Sequence, residues 1–302
     1  MNLPRLRAHL LLLLWAVLVA SSFPVADLFN PILSTNLLVS VRFILAGTIL
    51  LGVMGRSVVP GPLSSLIYSV LGLLLGGFFS IMFTALHYTS PLTLAALFVT
   101  QPLFAYLISV AVKLEPMQLK RLATLSVAAL AALVIVSRAE LDRLLALDFG
   151  FGEWLFLFGC VLSAGYNNLS RYASDKGLIP ANPLRTTCLS LLAGGILIGL
   201  PESVSGGLPA FVTEIGLNDL AALLYLTLFT TLVTFWILQH VTLRLSPSMV
   251  AAYGYLPPMI VLFSELALGL TPWRSGFLLA ALLLCISIWR LTNNDGHTRP
   301  AR

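Results

Sequence analysis

Charged side chains inside the long apolar runs of this sequence are the residues best able to do chemistry. Arg42 lies within an otherwise uncharged run, and Asp27, His87 and Glu265 lie at or near the ends of similar runs. A charged group inside a membrane is costly unless it is paired or hydrated, so such residues mark gates, ion paths or binding sites. We expect Arg42 to pair with Asp27 at an outer gate. Glu265 is the candidate for proton coupling, since a carboxyl in a partly dry vestibule favours its protonated form.

A second set of charges occupies the opposite ends of the runs. It comprises Glu115, Arg171, Asp175 and Arg185. Together with the first four charges, these residues are the candidates for gating and coupling. The alternative is that some of them, His87 and Glu265 above all, only reach into the lipid headgroups.

Polar and aromatic side chains within the runs are candidates for lining a substrate cavity. Four threonines follow the spacing i, i+3, i+4 and i+7, which places them on one face of a helix. Two adjacent asparagines are costly against lipid, and aromatic rings could stack on a planar or cationic ligand. The candidates are Phe78, Phe79, Phe83, Asn167, Asn168, Thr227, Thr230, Thr231, Thr234, Tyr253 and Tyr255. Each type has an alternative: Thr bonding its own helix, Asn joining two helices, and an aromatic ring facing lipid or core.

Catalytic and cofactor signatures are missing from the sequence. It contains no HExxH, no Gly-rich phosphate loop and no paired carboxylates within one run, and its four histidines are scattered. We therefore expect no metal, no cofactor and no enzyme activity. An intramembrane enzyme would have only His87 and Glu265 as an acid/base pair.

The composition predicts an all-α integral membrane protein. Hydrophobic residues make up 58% of the chain and charged residues 10%, whereas soluble domains carry about 25% charged residues. A helix needs about 20 apolar residues to cross the hydrocarbon. Ten charge-poor runs of about that length are 9–29, 36–55, 64–86, 91–112, 119–137, 152–171, 184–200, 219–240, 247–269 and 274–290.

An internal duplication organises these ten runs. Segments 90–116 and 246–272 align without a gap, and three prolines of each coincide: Pro91 with Pro247, Pro102 with Pro258, and Pro116 with Pro272. Proline is tolerated in helices only at particular places, so the match indicates a repeat. We predict two units, 1–146 and 147–302, with five spans each. Because five is odd, the second unit enters the membrane inverted, as in many secondary transporters.

The positive charges predict the orientation. Most lysines and arginines outside the runs fall in alternate connecting segments, with Arg138, Arg143 and Arg274 as the exceptions. The positive-inside rule then places both termini in the cytoplasm. A cleaved signal peptide at 10–22 is the alternative for the first run. The repeat disfavours it, because the first span has a counterpart at the head of the second unit.

Three motifs link the chain to a known family. They are RFILAG at 42–47, ALHYTSPLTLAAL at 85–97 and KLEP at 113–116. With them the chain resembles, over nearly its whole length, the EamA-domain exporters of the drug/metabolite transporter superfamily. The resemblance implies ten helices, cytoplasmic termini and export of small metabolites such as amino acids or cationic drugs. Two departures are Leu114, where Gly is usual, and 269–271, where the second unit lacks its own Glu.

The sequence therefore predicts a secondary active transporter of the bacterial inner membrane. We expect it to export a small metabolite, an amino acid or a related amphipathic or cationic compound, by alternating access. Proton antiport is the expected coupling. A uniporter or a channel-like facilitator is the alternative, and an intramembrane enzyme the weaker one. The expected partners are a small-molecule substrate, protons and the lipid bilayer, with no nucleic acid, and we expect a monomer.

Overall fold

The computed structural model describes residues 3–26, 28–54, 60–89, 94, 97–136, 150–267, 269 and 272–295. Regular structure in these residues is entirely helical, which agrees with the all-α prediction. The helices are α1 (Leu3–Ala26), α2 (Thr35–Met54), α3 (Pro62–Leu86), α4 (Gln101–Ala111), α5 (Leu119–Val136), α6 (Phe151–Asp175), α7 (Pro183–Val204), α8 (Gly207–Glu214), α9 (Leu217–Thr242), α10 (Pro247–Ala252), α11 (Leu256–Ala267) and α12 (Ser275–Asp295). A π-helical segment, Leu228–Val233, interrupts α9, and a 3₁₀ turn, Tyr253–Tyr255, separates α10 from α11.

Several helices suit a membrane. Helices α2, α3, α7 and α9 are long and apolar enough to cross it, and shorter apolar helices occur at Leu6–Ser22, Gln101–Ala111, Met249–Ser264 and Ser275–Leu291. Large apolar side chains such as Leu13, Leu130 and Leu279 are exposed on the outside of the bundle, where lipid would cover them. These features fit a multi-pass membrane protein. The ten spans and the inverted repeat stay predictions, and the predicted boundary at 146–147 lies outside the described residues.

Helix α8 lies within 201–218, a stretch between two of the predicted runs. It begins after Gly206, whose φ of 89° is open to glycine but strained for other residues. The helix buries Phe211 in a small apolar cluster with Leu37 and Leu223. Because α8 is only eight residues long and its one buried residue, Phe211, is covered by other helices, its own apolar pattern gives too weak a signal.

Small residues let the central helices approach closely. A Cβ added at Gly72 on α3 would clash with the backbone of Gly194 on α7. On the other side of α7, the Ser40 hydroxyl of α2 donates a hydrogen bond of 2.8 Å to the Gly195 carbonyl. Lipid tails are as apolar as leucine, so helices in a membrane associate largely through such close contacts. Helix α7 is thereby held tightly between α2 and α3.

Most helix packing joins the first half of the chain to the second. Helix α2 packs on α7, α3 on α6 and α7, and α5 on α12. Helix α4 contacts α6 and α10, while α1 contacts α9 and α11. This arrangement leaves a cavity between the two halves rather than within either one.

Candidate substrate cavity

The cavity lies between α1, α2, α3, α6 and α9, and its volume is about 100 Å³. Its polar lining comes from Ser22, Arg42, Ser163, Thr230 and Thr234. Its aromatic lining comes from Trp15, Phe78, Phe79, Phe83, Phe98, Phe156 and Phe235. Among the described lining residues, Arg42 is the one charged side chain. The site is thus a mainly apolar pocket with a few polar groups, as is typical of small-molecule sites.

Arg42 is held in place by one hydroxyl and one ring. Its Nε and Nη2 both donate to Thr231 Oγ1, at 2.9 and 2.7 Å, and its guanidinium carbon lies 4.9 Å from the centre of the Phe79 ring. The side chain is only 3% exposed. No carboxylate among the described residues pairs with it. The predicted partner Asp27 lies outside the described residues, so that pairing stays a prediction.

The aromatic wall is built around Phe79. Its ring meets Phe78, Phe43 and Phe235 in edge-on arrangements, with centroid distances of 5.0, 5.8 and 5.9 Å. Edge-to-face pairs at these distances stabilise one another beyond the area they bury. Phe79 is therefore fixed where its ring face can contact the guanidinium of Arg42.

The four threonines predicted to share one face of a helix divide between the cavity and the helix interior. Thr230 and Thr234 line the cavity, while Thr227 and Thr231 are fully buried beside it. The hydroxyls of Thr227, Thr230 and Thr234 each donate to a carbonyl four residues earlier, at 2.7 to 3.0 Å. The π-helical segment gives this turn of α9 an extra residue. A regular 3.6-residue spacing therefore does not describe which threonines share a face.

Comparison with known proteins shows a similarity to transporters. Residues 6–137, which supply α1 to α5 and with them Arg42, Phe43, Phe78 and Phe79, match the EamA-like transporter family. Residues 6–137 form an EamA domain. The matched family is one of transporters.

Two further comparisons extend along the chain. An uncharacterized transporter of Bacillus subtilis strain 168, YyaM, is 21% identical over 291 residues, which are 94% of this chain and 92% of that protein. A crystal structure of another protein, 17% identical, shares the fold with a TM-score of 0.74 over 96% of this chain and 98% of that one. The crystal structure thus shares the fold of this chain over nearly the full length of both proteins.

The two asparagines lie away from the cavity lining. Asn168 Nδ2 donates to the carbonyls of Ala105 and Ala164, at 3.0 and 2.9 Å, and so joins α6 to α4 of the EamA domain. Asn167 is buried as well. The structure therefore places Asn168 in the helix-joining role, the alternative that the sequence left open.

The two tyrosines also lie outside the cavity lining. Tyr253 shares a 2.8 Å hydrogen bond with His9 Nδ1 on α1, and Tyr255 donates at 3.1 Å to the Leu125 carbonyl on α5. Both belong to the 3₁₀ turn, which rotates their side chains toward helices of the EamA domain. The sequence analysis expected one continuous helix at 247–269, which would have pointed the two tyrosine side chains in other directions.

Glu115 belongs to a buried ion pair that the sequence analysis missed. Its carboxylate lies 3.0 Å from Arg121 Nη1 and accepts a 2.8 Å hydrogen bond from Ser109. Arg121 Nη2 also donates to Ser246 Oγ, at 2.6 Å, just before the first residue of α10. The pair thus ties the EamA domain to the second half of the chain. The sequence signal for this ion pair was a Glu followed six residues later by an Arg at the start of a helix.

The other predicted gating residues are dispersed. Arg171 pairs with Asp175 at 2.6 Å and donates at 2.5 Å to the Thr242 carbonyl, which joins α6 to the end of α9. Arg185 lies in the first turn of α7, where its backbone nitrogen donates to Asn182 Oδ1. His87 follows α3 and is exposed. The side chain of Glu265 lies outside what the structure describes.

Proposed function

We propose that this chain is a secondary transporter that moves a small metabolite across the bacterial inner membrane by alternating access. The observation that carries the proposal is Arg42, a buried cation that faces an aromatic cavity between the two halves of an EamA-domain protein. An intramembrane charge is retained against its cost when it serves a substrate or ion path. The cavity is then the substrate site.

Helix packing supports the alternating movement. The second and seventh predicted spans meet as α2 and α7, the fourth and ninth as α4 and α10, and the fifth and tenth as α5 and α12. Likewise, α3 packs on α6 and α7 while α9 packs on α1 and α2. Two inverted repeats related by a two-fold axis would meet in these pairs. Rocking one half against the other would then open the cavity to either side.

The contacts favour an outward-facing conformation. Near the cytoplasmic end predicted from the charges, Ser64 donates to the Leu178 carbonyl at 3.1 Å and Arg121 reaches Ser246. The cavity is instead lined by the later turns of α1 and α3, including Ser22 and Phe83, which the same orientation places in the outer half. Inward opening would have to break the cytoplasmic contacts.

Export and proton antiport complete the proposal, with Glu265 as the coupling residue. No nucleotide motif exists in the sequence to supply energy, which favours an ion gradient. Facilitated diffusion through the same cavity is the alternative. The two differ in whether an imposed pH gradient drives accumulation.

A flux screen in proteoliposomes tests the proposed function. Purified protein would be assayed for counterflow of labelled amino acids, simple carboxylates, polyamines and quaternary amines. We expect at least one compound to show saturable uptake that is accelerated by unlabelled compound inside the vesicles. Arg290→Met, a change at an exposed arginine of α12, should behave like wild type. Uptake that neither saturates nor responds to internal compound would instead indicate a channel.

A further inference from the structure

Charge balance inside the cavity indicates what its ligand carries. Arg42 is the one charged lining residue that the structure describes, and no described carboxylate neutralises it. In a low-dielectric pocket a buried cation attracts anions strongly and repels cations. The cationic compounds considered from the sequence are therefore disfavoured by the site itself.

The hydrogen bonding of Arg42 points the same way. A guanidinium has five N–H donors in a planar fork. Nε and Nη2 share the single oxygen of Thr231, and Nη1 has no hydrogen-bond partner among the described residues. A carboxylate matches the free edge of such a fork through two parallel bonds. The donors left over are thus suited to an incoming carboxylate.

The remaining walls suit an apolar body. Phe78, Phe83 and Phe156 line the cavity together with Trp15, and the polar groups beside them are hydroxyls. Aromatic rings favour apolar and aromatic ligands through their large contact area. A cavity of about 100 Å³ restricts that body to a small one in this conformation.

We infer that the cavity binds small monocarboxylates with an apolar or aromatic body, with the carboxylate on Arg42. This substrate class rests on the proposed function, because it assigns the ligand of the same cavity. Thr231 acts as a positioning residue. Its oxygen holds the Nε and Nη2 edge of the fork and leaves the Nη1 side toward the ligand.

A matched ligand series tests the inference by binding alone. The probes are 3-phenylpropionate, 3-phenylpropanol and 3-phenylpropylamine, which share one aromatic body and differ in charge. Binding to full-length protein in a neutral detergent would be followed by tryptophan fluorescence, since Trp15 lines the cavity. We expect the carboxylate to bind at least about tenfold more tightly than the alcohol, as a bidentate charged pair provides, and the amine to bind more weakly still.

Variants locate the effect. Arg42→Met should remove the preference for the carboxylate, Arg42→Lys should keep it but weaken it several-fold, and Arg290→Met should leave it unchanged. Trp15→Phe should remove the fluorescence response while calorimetry still detects binding. Equal or tighter binding of the amine to wild-type protein would overturn the inference, as would an undiminished carboxylate preference in Arg42→Met.

These experiments can overturn the ligand class and the transport proposal independently of each other. A selective carboxylate site without counterflow would contradict the transport proposal and leave the ligand class standing. Counterflow confined to amines or polyamines would support a transporter and overturn the ligand class.

Discussion

Replacing Arg42 by methionine is expected to abolish counterflow while making the purified protein more stable. The guanidinium is 3% exposed and faces no described carboxylate, so its burial is costly. A gain in stability would therefore argue against the pairing with Asp27 expected from the sequence, because that pairing would leave Asp27 buried without its partner. Methionine fills a similar space without a charge. The hydrogen bonds to Thr231 and the contact with Phe79 are lost, which offsets part of the gain. We expect the apparent melting temperature to rise by a few degrees.

Transport by the same variant should fall by at least about 100-fold. The reason is that Arg42 is the partner of the inferred substrate carboxylate, and removing one partner of a desolvated charge pair has effects of that size. The assays are thermal unfolding in detergent and counterflow in proteoliposomes, with Arg290→Met as the control. A purely structural Arg42 would give the opposite pattern: lower melting temperature and transport reduced only as far as folded protein is lost. That pattern would contradict a substrate-binding role for Arg42.

Breaking the buried pair of Glu115 and Arg121 is expected to have the largest effect on stability. The two side chains are 4% and 2% exposed, and their charges lie 3.0 Å apart. Glu115→Leu leaves the Arg121 charge buried without its carboxylate, which should cost about 3–5 kcal/mol. The double variant Glu115→Leu/Arg121→Met removes both charges and should recover most of that loss. Unfolding in mixed micelles of the single variants, the double variant and wild type measures the coupling.

The pair of Arg171 and Asp175 is the matched control. Its carboxylate side chain is 44% exposed, so Asp175→Ala should cost less than about 1 kcal/mol. If Glu115→Leu cost no more than Asp175→Ala, the Glu115–Arg121 pair would not be a major tie between the halves. If the double variant were as unstable as Glu115→Leu alone, the loss would come from packing rather than from charge.

The positions of α2 and α3 were predictable from the sequence because the lipid solvent dictates them, whereas α4 begins ten residues after the start of its predicted run 91–112 and the run 247–269 is divided by a 3₁₀ turn. A segment in lipid must satisfy its backbone internally, so an apolar run of span length is helical. The predicted runs 36–55 and 64–86 accordingly match α2 and α3 to within two residues. The short helix α8 escaped prediction because its anchor, Phe211, is buried by residues distant in sequence.

The candidate site was only partly predictable. Arg42 was conspicuous as a lone charge, and the phenylalanines near it in α3 share its surroundings. Phe156 and Phe235 reach the cavity from other helices, so only tertiary packing reveals them. The π segment and the 3₁₀ turn break the helical period at the threonines and tyrosines. Spacing rules that assume a regular helix fail at both places.

Access to the cavity from both faces of the membrane is the direct test of alternating access. Ser163 lines the cavity on α6, and Ser163→Cys would be probed with an impermeant anionic thiol reagent from each face of the membrane. Cys160 and Cys188 are buried, so only the exposed Cys285 needs replacement in this background. Ser205→Cys and Lys176→Cys, both exposed, serve as controls for the predicted outer and cytoplasmic faces. Gly177 is avoided because its φ of 68° would strain a cysteine.

We expect each control variant to react from one face only. Ser163→Cys should react from the outer face in the resting protein and from the cytoplasmic face during turnover. Adding the compound that gives counterflow should therefore change the two rates in opposite directions. Reaction of Ser163→Cys from the outer face alone under all conditions, or rates that rise together on both faces, would contradict alternating access through this cavity.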